Sequence, residues 1–180
     1  MLGIFGRKKI GEDQLSQIFN NAMWKMSAEG FPEVVAILNE DPEFVVSPEL
    51  DPNDHTRFFF IIVAGNLKYL PHRLDGTHSR FVIMKIYEAL AGTFDTSAGS
   101  IEKHIKKLQG EMGRLNNPSK NTLYAMSKLF FQEYDLYQYQ AKYYSSILAP
   151  NPVILKRLDA IMQSYLWDWE SISEEYKIVD

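Results

Sequence analysis

His72, Asp75 and His78 fall within a seven-residue stretch, and Asp54-His55 precede them in the chain. Imidazole nitrogens and carboxylate oxygens together suit zinc, iron or manganese, so a metal-dependent hydrolase using His72, Asp75 and His78 is one expectation. The spacing works against it. Pro71 and Gly76 place the three residues in a turn, and neither a His-x-x-x-His pair nor the Glu-x-x-His of di-iron bundles occurs. A second oxygen-rich stretch holds Glu40, Asp41, Glu43, Glu49, Asp51 and Asp54 with no Lys or Arg among them. Asp51-Pro-Asn53 opens like a calcium-binding EF-hand loop, but Thr56 and Ile62 stand where that loop requires Gly and Glu. The expectation here is a solvated acidic loop.

Nucleophilic chemistry has little support. The chain contains no cysteine, which excludes disulfides, a thiol nucleophile and thiolate metal sites. It has no Gly-x-Ser-x-Gly elbow and no glycine-rich phosphate loop, since Gly3-Ile-Phe-Gly6 is too short and lacks the strand-to-helix context. No cofactor is expected. The formal charge of −4 argues against nucleic acid as a partner, which calls for a concentrated basic face. Arg7-Lys8-Lys9 and the lysines 103, 106 and 107 with Arg114 are short clusters, and the former gives no stable membrane association. The longest apolar run, Phe58 to Gly65, is far below the roughly 20 residues of a membrane helix. No targeting segment is recognisable, so a soluble cytoplasmic protein is expected.

Aromatic residues are the most distinctive feature. Tyr124, Phe130, Phe131, Tyr134, Tyr137, Tyr139, Tyr143 and Tyr144 crowd into one segment. A buried tyrosine hydroxyl wants a hydrogen-bond partner, so Tyr134, Tyr137, Tyr143 and Tyr144 are candidates to line a small-molecule pocket between helices. Tyrosines can equally pack their rings while the hydroxyls reach water at a bundle rim. Two tryptophans stand off the apolar stripes. Trp24 lies nine residues beyond Leu15, about 180° away on a helix, and Trp167 lies off the face of Leu158, Ile161 and Tyr165. Tryptophan is enriched at binding hot spots, so Trp24 and Trp167 are candidate partner-binding residues, unless another segment covers them.

The elements that position these residues read as helices. With 46% hydrophobic and 23% charged residues over 180 positions, the chain is globular in composition. Leu15, Ile18, Phe19, Ala22 and Met26 share one face of a first helix, with Gly30 as its stop and Pro32 opening a short second helix to Glu40. Residues 41–53 read as a loop. Thr56 to Leu70 has strand-like Phe58–Val63 at its centre, but no partner strand is visible, so a helix apolar on nearly all sides is expected. A turn at Asp75-Gly-Thr77 leads into a fourth helix, about 78–91. Ile101, Ile105, Leu108, Met112 and Leu115 alternate four- and three-residue spacings, a narrow seam. Residues 119–148 then predict one helix roughly 45 Å long as the spine of the fold. After Pro150-Asn-Pro152 a last helix carries Ile154 through Trp169, with frayed residues beyond it.

These readings converge on an all-α fold, a single-domain irregular helical bundle (1–180) of about seven helices, with residues 1–10 as a mobile N-terminal arm. An enzyme is the less expected class. A non-enzymatic helical protein-interaction module is the first expectation, with another protein or a second copy as partner. A small-molecule-binding bundle and the metal-dependent hydrolase are its alternatives.

Overall fold

Gly30 and Pro32 both argue for a break, yet the longest helix runs through them. The computed structural model describes residues 7–74, 76–117 and 119–179. In it α1 spans Glu12–Asn39, a single helix of 28 residues with Pro32 in its interior. The expected stop at Gly30 is therefore corrected. A proline inside a helix forfeits a hydrogen bond and crowds the preceding turn, at a cost of about 3 kcal/mol. Buried Phe31, Val34, Val35 and Leu38 flank it, and each contributes roughly 1.5–3 kcal/mol on burial when the helix continues in phase. Gly30 makes room for a neighbouring ring, since a Cβ there would lie 2.1 Å from the Tyr165 hydroxyl.

Among the described residues the elements after α1 are α2 (His55–Tyr69), α3 (Gly76–Thr93), α4 (Ala98–Leu115), α5 (Thr122–Glu133), α6 (Lys142–Ser146), α7 (Pro152–Gln163) and α8 (Trp169–Glu175). Two short strands, β1 (Lys8–Gly11) and β2 (Tyr176–Val179), complete the chain. The fold is an all-α helical bundle with one small strand pair. No helix among the described residues is long and apolar enough to cross a membrane.

The segment Phe58–Val63 is helical, and every residue from Phe58 to Leu67 is buried, as expected of a central helix. The expected helix over 119–148 is corrected. It divides into α5, a 3₁₀ turn (Leu136–Tyr139) and α6, because Asp135 takes a left-handed conformation with φ 51° that ends the run. Aspartate tolerates this conformation better than most residues, since its short side chain bonds locally. The last helix also ends early, at Gln163, so Trp169 belongs to α8.

The chain forms two compact units, and α1, α2 and α4 contribute residues to both. The first holds the described residues of Met1–Ala22, Asn66–His104 and Trp167–Asp180. Its core includes Leu15, Phe19, Val82, Ile86 and Trp169, with the Phe19 and Trp169 rings stacked at 5.1 Å. Trp169 donates its indole N–H to the Asn66 carbonyl (3.1 Å), and the Asn66 side chain accepts from the Trp167 backbone (2.7 Å). β1 and β2 pair in parallel with Ile10 opposite Ile178, so residues expected to fray are held in a sheet. Of the expected arm at 1–10, residues 1–6 lie outside the described residues, and Lys8 to Ile10 belong to β1.

The second unit comprises Met23–Gly65 and Ile105–Leu166. Phe31, Phe58, Phe130 and Tyr134 form its aromatic centre, with Phe31 stacked on Phe58 at 5.3 Å and Phe130 on Tyr134 at 4.4 Å. α5 and α7 pack against one another. Gly65 lets Met126 sit where a Cβ would be, 2.3 Å from its sulfur.

Candidate functional site

The histidines do not converge. His72 is exposed in a 3₁₀ turn (Leu70–His72), while His78, in the first turn of α3, sets its Nδ1 2.8 Å from the Glu12 carboxylate. Asp75 lies outside the described residues. Among the described residues no three His, Asp or Glu side chains are placed to hold a metal ion. The acidic stretch is engaged partly within its own loop and partly with arginines of neighbouring helices. Asp41 accepts from the Glu43 backbone (2.9 Å) and pairs with Arg157; Asp51 accepts from the Asn53 backbone (2.9 Å), and Asp54 pairs with Arg57.

The four candidate tyrosines take up three settings. Tyr134 is buried at the end of α5, where its hydroxyl donates to the Asp54 carbonyl (2.7 Å) and accepts from the Phe58 backbone (3.1 Å). Burial pushes its pKa well above the ordinary phenol value, with Asp54 adding to the shift. Tyr137 sets its ring edge-on to Phe131 at 5.0 Å, and burial raises its pKa too. Tyr143 and Tyr144 meet on α6 at 5.2 Å, and Tyr143 is 69% exposed. The structure brings this last pair together and gives the other two different ring partners.

Trp24 is 37% exposed and packs edge-on against His55 (5.0 Å) and Phe59 (5.2 Å). Trp167 is half-buried against Phe19 and Trp169, and its indole N–H is buried with no hydrogen-bond partner among the described residues.

A different pair of segments in the second unit presents apolar side chains to solvent. Val45 and Val46 on the acidic loop are 70% and 64% exposed; Ile147 and Leu148 after α6 are 56% and 71% exposed, and Tyr143 belongs to the same segment. The two segments are adjacent. Phe44 bridges Gln140, and the Val45 and Val46 backbone N–H groups both donate to the Tyr139 carbonyl (2.7 and 3.4 Å).

Beneath these residues lies a matched polar clamp. Gln140, almost fully buried, donates to the Ala149 carbonyl (2.6 Å) and accepts from the Asn151 backbone (2.8 Å). Asn151, also buried, caps α7 by accepting from Val153 (2.9 Å) and donates to Glu43 (3.0 Å). Each polar atom of these two amides therefore has a partner that fixes loop geometry.

Leu148 is the anomaly of the platform. α6 closes with bonds from the Leu148 N–H to the Ser145 carbonyl (3.3 Å) and from the Ala149 N–H to the Tyr144 carbonyl (3.1 Å). That pattern places Leu148, with φ 49°, at the left-handed position glycine normally takes in a Schellman closure. A leucine there costs roughly 1–2 kcal/mol in backbone strain. Its side chain is nevertheless turned to solvent, where it recovers none of that cost.

Of the outward apolar pairs, Val45-Val46 was within reach of sequence reading, since it lies between Pro42 and Pro48 in a segment that reads as a loop, whereas Ile147-Leu148 fall inside the helix expected over 119–148. No protein-family model, curated protein or solved structure matches the chain.

Proposed function

We propose that this chain is a non-enzymatic helical protein-interaction module, and that Val45, Val46, Tyr143, Ile147 and Leu148 form its docking surface. Leu148 carries the reading: a strained, exposed leucine on a rigid loop loses free energy in the isolated chain and regains it when a partner covers it. Full burial of such a side chain contributes roughly 1.5–3 kcal/mol, and a clamped loop loses little entropy on binding. The cysteine-free composition suits a cytoplasmic setting.

The occupant we commit to is an apolar segment of another protein, flanked by Lys or Arg. Of the six carboxylates in residues 40–54, Asp41 pairs with Arg157 and Asp54 with Arg57, which leaves Glu40, Glu43, Glu49 and Asp51, and the 139–149 segment adds only Lys142. A basic-flanked segment matches that rim. A second copy does not, because a two-fold contact through this surface sets one acidic loop against the other.

A photo-activatable residue placed at Val46 or Leu148, with Lys25 as control position, tests this in cells. The expected product is one discrete adduct from the two platform positions alone. Its cross-linked peptide, identified by mass spectrometry, should pair apolar with basic residues. That peptide should then bind the purified chain, with Leu148→Asp weakening it at least about tenfold. Adducts only to this chain itself, a neutral or acidic peptide, or an unaffected Leu148→Asp would each overturn the proposal.

A further inference from the structure

The first unit holds a cavity of about 210 Å³ against the strand pair, and its charged lining is entirely basic. Arg7, immediately before β1, Lys177 on β2, Arg73 after the 3₁₀ turn and His78 on α3 all contribute, while Leu74 and Ile178 supply apolar wall. At about 30 Å³ per water, the space equals roughly seven water molecules. Carboxylates do reach two of the four basic side chains from outside: Glu170 pairs with Arg73 (3.0 Å), and Glu12 lies 2.8 Å from the His78 ring. Neither Arg7 nor Lys177 has an ion-pair partner among the described residues. Arg73 presents five N–H donors in a planar fork, and one carboxylate oxygen does not exhaust them. The Ser173 hydroxyl at the rim is turned to the Glu170 carbonyl (2.8 Å) and adds no free donor.

We infer that this cavity is a binding site for a small phosphomonoester, with Arg7, Arg73 and Lys177 holding the phosphate and Leu74 and Ile178 contacting the organic part. Two cations without counter-ions among the described residues, on a chain of net charge −4, mark a local field that an anion neutralises. A dianion fits better than a carboxylate, because three positively charged groups converge and arginine binds phosphate oxygens in a two-pronged manner. The size excludes a polynucleotide, and the apolar wall distinguishes the site from one for a bare inorganic ion.

Phenyl phosphate is the probe, titrated into the full chain and followed by amide NMR and calorimetry, with inorganic phosphate and phenol alongside. Saturable shifts at Lys177 and Gly76 are expected, tighter for phenyl phosphate than for phosphate and absent for phenol. Arg7→Ala/Lys177→Ala should raise Kd at least about tenfold without altering the melting curve of the free protein, since both side chains are exposed. Lys103→Ala/Lys107→Ala, a basic pair elsewhere, should change it less than about twofold. Equal losses in the two double variants mean non-specific attraction and overturn the site, as does the absence of saturation. Vesicles of phosphatidylcholine with phosphatidic acid present the same headgroup from a membrane, and binding to these without binding phenyl phosphate also overturns it.

Discussion

The platform around Leu148 and the cavity beside the strand pair place polar and apolar groups in opposite ways. In the platform the polar groups lie inside: Gln140 and Asn151 are buried with each hydrogen bond matched, and the apolar side chains face water. In the cavity the charged groups line the wall, incompletely neutralised, with Leu74 and Ile178 among them. The first arrangement fixes a shape and leaves apolar area uncovered, which favours a partner that excludes water and dissociates slowly. The second fixes a charge, which favours a ligand whose affinity falls with salt. Each lacks what the other has in excess.

The comparison breaks most visibly if the clamp is removed. Gln140→Ala strips a donor from the Ala149 carbonyl and an acceptor from the Asn151 N–H, leaving two backbone groups in a buried setting. The expected loss is about 2–3 kcal/mol in urea denaturation. Docking should fail with it, because the loop that displays Ile147 and Leu148 is no longer held. Phosphomonoester binding should be unaffected. A loss below about 0.5 kcal/mol would show that the platform is not supported by Gln140.

How far the sequence revealed this arrangement depends on the range of the interactions involved. The helical class and the buried α2 were legible because apolar residues repeat at helical spacing within one segment, or, in Phe58–Leu67, leave no polar face at all. The misreadings share one cause, a local signal overruled from a distance. Gly30 and Pro32 read as punctuation, but Phe31 and Val34 are buried only if the helix continues. Leu123, Phe130, Tyr137 and Tyr144 recur every seven residues and read as one helix, although the backbone turns at Asp135 and Phe130 packs on Phe31 and Phe58. The four residues of β1 are too few for any period, and their partner strand lies near the opposite end of the chain. Trp24 and Trp167 stood out by helical phase, which describes a single element and cannot register Phe59, or Phe19, arriving from another. The clamp and the platform depend on Gln140, Asn151 and Glu43, whose pairing no spacing rule encodes.

Leu148 sharpens the comparison with a smaller effect of opposite sign. Leu148→Gly relieves the left-handed strain but makes the unfolded chain more flexible, and the balance should be a gain of about 0.5–1 kcal/mol. The same substitution removes an exposed anchor and should weaken the platform's partner by at least about tenfold. Stability and binding moving in opposite directions is the signature of a residue retained for contact. Denaturation and peptide titration on one sample measure both. Lower stability in Leu148→Gly would mean that the leucine serves the fold and would remove the main support for the docking surface.

The smallest effect calibrates what an unmatched polar group costs where no ligand is proposed. Asp159 lies on α7 in a cavity shared with Lys128 and Lys156, and one of its carboxylate oxygens is buried without a hydrogen-bond partner among the described residues. Burial pushes its pKa up, while Ser127 opposes the shift. A carboxyl with a raised folded-state pKa contributes its relative stability below the unfolded value, and loses it as pH rises through the folded one. Asp159→Asn, neutral throughout, should therefore raise the melting temperature at pH 7. Near about pH 3, where the aspartate is protonated in both states, the difference should vanish. Melting curves of the two proteins across that range decide the point. A gain independent of pH would mean that the aspartate is disfavoured by shape and not by charge. A loss at pH 7 would mean that the lysines beside it stabilise the carboxylate. The matched amides of the clamp and the unneutralised cations of the strand-pair cavity would then no longer mark the two extremes of polar matching in this fold.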